Sequence, residues 1–179
     1  MSMTAIAAVD ENWGIGYEGH LLISLPEDQK GVFRKYTTGN TVVFGRKTLL
    51  TFPGERLLPK RVNIILTRNK DFEKEGAVIL HDREELQEYI ASHTDEKIFL
   101  IGGETVYKSM LDLCNEAIIT YIHKEFTADA YFPNLDEDPE WELDREEVEI
   151  MSEAGVAFNV RFYKRKLTNG QKCSSIGAV

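Results

Sequence analysis

Thr41-Val42-Val43-Phe44-Gly45-Arg46-Lys47-Thr48 is a short apolar run that passes through one glycine into the opening of a helix. Apolar side chains at successive positions suit a strand covered on both faces, as in a parallel sheet. The pattern recurs at Ile98-Phe99-Leu100-Ile101-Gly102-Gly103-Glu104-Thr105. Thr4 to Val9, Val62 to Leu66 and Ala77 to Leu80 are further runs of the same kind. Between them the chain predicts helices. One starts near Pro26-Glu27-Asp28, with Ser24 as its cap and acids in its first turn. Others are expected over Arg46 to Phe52, Arg83 to Ser92 and Glu104 to Leu113. Strands alternating with helices predict an α/β fold, a central mostly parallel twisted sheet flanked by about four helices.

The second half reads differently. Ala117 to His123, Trp141 to Ile150 and Phe158 to Lys166 are longer strand patterns, the last alternating apolar with charged residues. That alternation predicts antiparallel strands with one wet face at the end of the sheet. The acidic stretch Leu135 to Glu142 reads as a solvated connection. No repeat or linker divides the chain, so residues 1–167 are expected to form one domain, with 168–179 a flexible tail.

Composition narrows the classes of function. The chain has 179 residues, 42% of them hydrophobic and 28% charged, within the globular range. A net charge of −9 disfavours binding to nucleic acid, which needs clustered cations to displace counterions. Cys114 and Cys173 lie far apart and the four histidines (His20, His81, His93, His123) are scattered, so neither a disulfide framework nor a metal site is expected. No basic patch precedes an apolar stretch at the N-terminus, and no run reaches membrane-spanning length; a cytoplasmic location is expected.

Gly14-Ile15-Gly16-Tyr17-Glu18-Gly19 matches GxGxxG after a strand, yet His-Leu-Leu-Ile-Ser-Leu-Pro follows, so no helix opens at the third glycine. No acid follows the next strand either, and a Rossmann site is rejected. These glycines instead suit either a mobile loop able to lie over a ligand or an ordinary surface turn, and the residues alone favour neither. Gly45-Arg46-Lys47-Thr48 and Gly102-Gly103-Glu104-Thr105 carry more. Alone, each is an ordinary turn. Together, on one edge of a parallel sheet and with Arg68 beyond the next strand, they predict a crevice for a dinucleotide bearing an extra phosphate.

The ordered motifs Ala8-Val9-Asp10…Ile15-Gly16, Leu25-Pro26-Glu27-Asp28, Val43 to Thr48, Pro59 to Leu66, Ile101 to Tyr107, Ile119-Thr120 and Asp129 to Pro133 resemble dihydrofolate reductase over Thr4 to about Lys166. The resemblance implies reduction of dihydrofolate by NADPH, with a hydride to C6 and a proton to N5 of the pterin. It implies that Asp28 and Thr120 anchor the pterin, and that Arg61 grips the α-carboxylate of the substrate's glutamate. Ile6, Ala8, Val32, Phe33, Phe52 and Leu58 would wall the substrate, with Ile101 shared between substrate and cofactor. Arg46, Thr48, Arg68 and Lys47 would hold cofactor phosphates. Ala8, Ile15, Gly16 and the Gly16 to Leu22 loop would frame the nicotinamide, against a cis-bonded turn at Gly102 and Gly103. Gly45, Leu66, Thr67, Glu104, Thr105, Val106 and Tyr107 complete the implied cofactor site. A monomer is the family's usual state.

By itself Asp28 would be a first-turn acid favoured by the helix dipole. As a lone carboxylate facing an apolar cleft, it is expected to hold its proton above the ordinary aspartate range. Two departures stand out. Leu22-Ile23 replaces the family's Pro-Trp. The family's aromatic, four residues after the acid, is Val32 here, with Phe33 one position late; on an α-helix that shift rotates a side chain by ~100°. Gly31 also weakens the helix by about 1 kcal/mol relative to alanine. Two other functions fit the pattern less well. One is an NADPH-dependent pyrimidine reductase of the riboflavin pathway, which shares the fold but generally lacks the Asp28 and Arg61 pair. The other is a non-catalytic NADPH- or folate-binding protein, which would bind without turnover.

Overall fold

Successive side chains along the central strands go to opposite faces of one sheet, and the two faces bury separate cores. In β1 (Met3–Val9), Met3, Ala5 and Val9 enter one core and Ile6 the other. β4 (Thr41–Gly45) divides Val43 from Val42 and Phe44 in the same way. A slip of one residue in any of these strands would exchange the two sets, so burial fixes the register. The computed structural model describes residues 3–167; the tail expected over 168–179 lies outside the described residues, as does Cys173.

The remaining strands are β2 (Gly14–Tyr17), β3 (His20–Leu21), β5 (Val62–Leu66), β6 (Ala77–Leu80), β7 (Ile98–Gly102), β8 (Cys114–Ile122), β9 (Ala130–Tyr131), β10 (Trp141–Glu146), β11 (Ile150–Met151) and β12 (Ala157–Arg165). The main sheet is nine-stranded, in the order β10-β12-β8-β1-β7-β4-β5-β6, with β11 paired to β12. β8, β1, β7, β4, β5 and β6 run parallel, and β12 joins β8 antiparallel. The α/β architecture with antiparallel strands at its C-terminal end is as the sequence predicts. From β1 the chain crosses to β4 and runs outward to β6, then returns to β7 beside β1 and goes on to β8, so loops from both halves converge at the C-terminal ends of β1, β7 and β4.

Four helical regions cover the sheet. A π-helical segment, Glu27–Phe33, runs into α1 (Arg34–Thr37); α2 is Arg46–Leu49, α3 Arg83–Ser92 and α4 Glu104–Met110. α3 begins where expected because Asp82 accepts the Glu85 N–H at 2.8 Å, and it buries Leu86 and Ile90.

Several expectations need correction. Ser24 does not cap the first helix: Pro26 occupies that position, with no side-chain cap bond. The helix after Gly45 ends at Leu49, because Thr51 and Phe52 turn back onto Thr48 and Leu49. The strand expected to reach Ile150 breaks after Glu146, and Glu147 N–H bonds Val160 O instead. The acidic connection is not merely solvated, since Leu135 and Trp141 at its ends are buried. Gly14 to Leu21 is a hairpin of a second, three-stranded sheet with β9, not a loose loop.

Asp10 fixes that hairpin. Its carboxylate is fully buried (0% exposed) yet satisfied by backbone N–H groups: Asn12 at 2.9 Å and Gly14 at 2.8 Å on Oδ1, and Phe126 at 3.0 Å on Oδ2. It thereby ties the β1–β2 turn to the segment after β8. Trp13 sits within the turn at φ 62, an uncommon conformation for a bulky residue, with its ring packed against Phe132, Tyr121 and Tyr163. Replacing Asp10 by alanine would leave three donors without an acceptor. Asp10→Ala is expected to lower unfolding stability by about 3 kcal/mol, read as a lower denaturant midpoint at unchanged slope.

Candidate active site

On the β1 and β8 face that carries Ile6, the register sets Ala8 opposite Thr120. Thr120 is buried, and its hydroxyl donates to Asp28 Oδ1 across 92 residues of sequence. Asp28 is half-buried in the π-helical segment laid over these strands. Desolvation raises its pKa above the ordinary aspartate range, and the Thr120 bond offsets this only in part. Below it, Tyr107 is buried and donates to Ile6 O at 2.7 Å, so its hydroxyl braces β1.

Ile6, Val32, Phe33, Phe52, Leu58 and Ile101 all contribute to one apolar cluster on this face. Phe52 stands edge-on to Phe44, ring centres 5.1 Å apart. The one-residue displacement does not take Phe33 out of the wall: Val32 and Phe33 both pack against this cluster. The helix that carries them is π-helical, its hydrogen bonds skipping an extra residue, with Arg34 N–H reaching Gln29 O. Phe33 packs into the cluster, with the Arg61 guanidinium 5.7 Å from its ring centre.

Arg61 is held by neutral partners. Its Nε donates to Thr37 Oγ1 at 2.9 Å and Nη1 to Pro59 O at 2.8 Å, and no ion pair engages it among the described residues. Burial, and secondarily the nearby Arg34, lower its pKa. A half-buried guanidinium with an uncommitted edge is suited to a carboxylate ligand. Sequence reasoning assigned no role to Asn63, which positions this loop. Buried in β5, it accepts Leu58 N–H at 3.0 Å and donates to Leu58 O and Arg61 O at 2.9 and 3.1 Å. A lone amide within an apolar strand was the available signal.

A second set of residues gathers at the C-terminal ends of β7, β4 and β5. Phe44 pairs with Gly102, and Gly45 with Leu66. The Gly102–Gly103 peptide bond is cis. Side chains are excluded here: a Cβ on Gly45 would lie 2.9 Å from Val106 Cγ2, and one on Gly103 3.3 Å from Thr48 Oγ1. A polar ligand can thus approach the backbone closely. Arg46, Lys47 and Arg68 are exposed at this edge, and none forms an ion pair among the described residues. Bare cations beside a glycine cradle fit a phosphate-bearing cofactor. Glu104 differs from its neighbour Thr105, which is exposed, in that its carboxylate is engaged by Lys108 at 2.5 Å. Thr67 turns its carbonyl to His81 Nδ1 at 2.9 Å.

The hairpin follows β1 directly, beyond Ala8 and the Asp10 turn. Gly16 has no room for a side chain, a Cβ there lying 2.9 Å from His20 O. Asp129 fastens it, accepting Glu18 N–H at 3.0 Å and donating its own N–H to Gly16 O at 3.0 Å. Ile15 packs onto the main core. Ile23 and Ala8 border one small cluster with Leu25, Ile122, Val156 and Phe158. Glu27 anchors the helix start: it accepts Ser152 Oγ–H at 2.9 Å and Glu153 N–H at 2.7 Å.

The family model described as dihydrofolate reductase matches residues 2–165. A dihydrofolate reductase of Staphylococcus aureus (strain Mu50 / ATCC 700699) is 35% identical over 133 residues, 74% of this chain and 79% of that protein. One from Heliothis virescens is 31% identical over 181 residues, 92% of this chain and 98% of that protein. The solved structure of Enterococcus faecalis dihydrofolate reductase complexed with NADP(H) and RAB-propyl superposes with a TM-score of 0.82. It shares 36% identity and covers 93% of this chain and 97% of that one.

The raised pKa of Asp28 has a consequence for stability. The folded state binds this proton more tightly than the unfolded chain does, so stability falls as pH rises from the ordinary aspartate value through the raised one. Asp28→Asn removes that penalty while keeping an acceptor for Thr120. The ligand-free variant is expected to melt a few degrees above the parent at pH 7, the gap narrowing toward pH 4, in paired thermal scans.

Proposed function

The chain belongs to the dihydrofolate reductase family, and from that premise we infer that it is an NADPH-dependent enzyme reducing 7,8-dihydrofolate to tetrahydrofolate. The observation that carries the reading is the half-buried Asp28 carboxylate, bonded by Thr120 and separated from the uncommitted Arg61 edge by an apolar wall. A ligand with hydrogen-bond donors at one end, a flat middle and a carboxylate at the other end suits that order.

Asp28 accepts hydrogen bonds from the pterin ring nitrogen and exocyclic amine, and Thr120 orients the carboxylate. Ile6, Ala8, Val32, Phe33, Phe52, Leu58 and Ile101 form the walls, excluding bulk water and holding the ring at near-attack distance. Arg61 takes the α-carboxylate of the glutamate. Arg46, Lys47, Thr48, Thr67 and Arg68 hold cofactor phosphates, with Gly45, Leu66, Glu104, Thr105, Val106 and Tyr107 around them. Gly102, Gly103, Ala8, Ile15 and Gly16 border the nicotinamide. When bound, NADPH supplies the hydride delivered to C6. Asp28 lies at the far edge of the pterin from N5, so it polarises the ring while water delivers the proton. Ile23 adds an apolar side chain near this edge, where the family has tryptophan. The reading takes residues 1–167 as the enzyme domain and the enzyme as a cytoplasmic monomer with no nucleic-acid partner. No helix among the described residues is long and apolar enough to cross a membrane.

Purified protein given NADPH and dihydrofolate should lose nicotinamide absorbance; intact binding without turnover would end this reading. Asp28→Asn should lower kcat/KM roughly hundredfold at pH 7. Arg61→Leu should raise KM for dihydrofolate about tenfold or more, the effect of losing one charged hydrogen-bonding partner, while the NADPH dissociation constant holds. Because the step consumes a proton, the single-turnover rate should fall as pH rises through one ionisation above the ordinary aspartate range.

A further inference from the structure

Phe72 lies outside the two groups of residues described above, yet it touches one of their cations. The Arg46 guanidinium carbon sits 4.8 Å from the centre of the Phe72 ring. Arg46 makes no hydrogen bond or ion pair to the protein among the described residues, so this stack is what orders it. Phe72 is itself well held. It is half-buried against the apolar cluster of the substrate face, and its N–H donates to Asn69 O at 3.2 Å. Asn69 in turn donates its N–H to Thr67 Oγ1 at 3.2 Å and accepts Asp71 N–H on Oδ1 at 2.9 Å. One compact loop after β5 therefore carries Thr67, Arg68 and the ring beneath Arg46.

Position in the sheet tells which phosphate meets this group. The reacting end of the site lies at β8, β1 and β7, where Thr120, Asp28 and Gly102 are found. β4 and β5 follow outward, two strand spacings, about 10 Å, further on. A dinucleotide laid along these strand ends places its adenosine half over β4 and β5, and the phosphate there is the one that distinguishes NADPH from NADH. An arginine held over the face of an aromatic ring by cation–π attraction leaves its N–H groups free for an outside partner. Holding it so before binding removes part of the cost of ordering a long side chain.

We propose that Phe72 is a positioning residue for cofactor choice, presenting Arg46 to the adenosine 2′-phosphate and so favouring NADPH over NADH. This rests on the dihydrofolate reductase reading and adds to it the origin of the cofactor preference.

Titrating the purified protein with NADPH and with NADH, by fluorescence or calorimetry, separates positioning from packing. Phe72→Leu keeps apolar bulk but loses the ring face; it should raise the NADPH dissociation constant about threefold to tenfold and leave that of NADH unchanged. Phe72→Tyr keeps the face and should bind both cofactors like the parent. Arg46→Leu should weaken NADPH binding by itself, and adding Phe72→Leu should then change nothing further. Equal weakening of both cofactors by Phe72→Leu would reduce Phe72 to a packing residue, and no change in either would make the stack irrelevant. Either outcome overturns the proposal. Failure of the underlying reading looks different: the parent protein would then not turn over dihydrofolate with NADPH.

Discussion

β1 is hydrogen-bonded on both sides, to β7 and β8, and covered on both faces, and the chemistry of the molecule is hung on that arrangement. A strand with no free edge and no wet face cannot shift without unmaking two ladders and two cores at once. Its C-terminal half supplies Ala8 and, through Ile6 O, the acceptor for Tyr107. Its neighbour β8 supplies Thr120 in fixed register. Its continuation, pinned by the buried Asp10 carboxylate, leads into the β2–β3 hairpin. Asp28, the glycine cradle and the β2–β3 hairpin are held in one frame because each attaches to β1 or to a strand beside it.

Two carboxylates, Asp10 buried and Asp28 half-buried, show how the frame handles charge. Asp10 has three backbone donors and serves as a fastening. Asp28 has a single protein donor and an apolar surround, so it retains its proton into a higher pH range and keeps capacity for an outside partner. Stability given up at Asp28 is available to a ligand that supplies the missing hydrogen bonds. The cations follow the same division. Arg83 and Arg165 are committed to Asp112 and Glu140, whereas Arg46, Arg61 and Arg68 have no acid partner among the described residues.

Much of this was legible in the order of residues. The apolar runs at 41–44, 62–66, 77–80 and 98–101 correspond to strands within a residue at each end, because strands buried on both faces need continuous apolar sequence. The glycines after β4 and β7 stood out for a local reason, the lack of room for a Cβ. Less visible were Asn63, which braces the Arg61 loop, Glu27, which ties the Asp28 helix to Ser152, and Phe72, which meets Arg46 from a loop 26 positions later. In each case the partner is far off in sequence or is a backbone group, and neither leaves a spacing signal.

The region around Asp28 divides the two kinds of knowledge most clearly. Sequence by itself determined that an acid opens a helix after Leu25-Pro26, that parallel strands flank it, and that an aromatic follows one position late. It could not decide where that aromatic points, because a helix pitch read from sequence is taken as 3.6 residues per turn. In the folded chain the segment is π-helical, with Phe33 in the apolar cluster beside Arg61 at one end and Thr120 and Ser152 bonded to Asp28 and Glu27 at the other. Local propensity chose the helix; its π-helical pitch became visible only together with the contacts made at both of its ends.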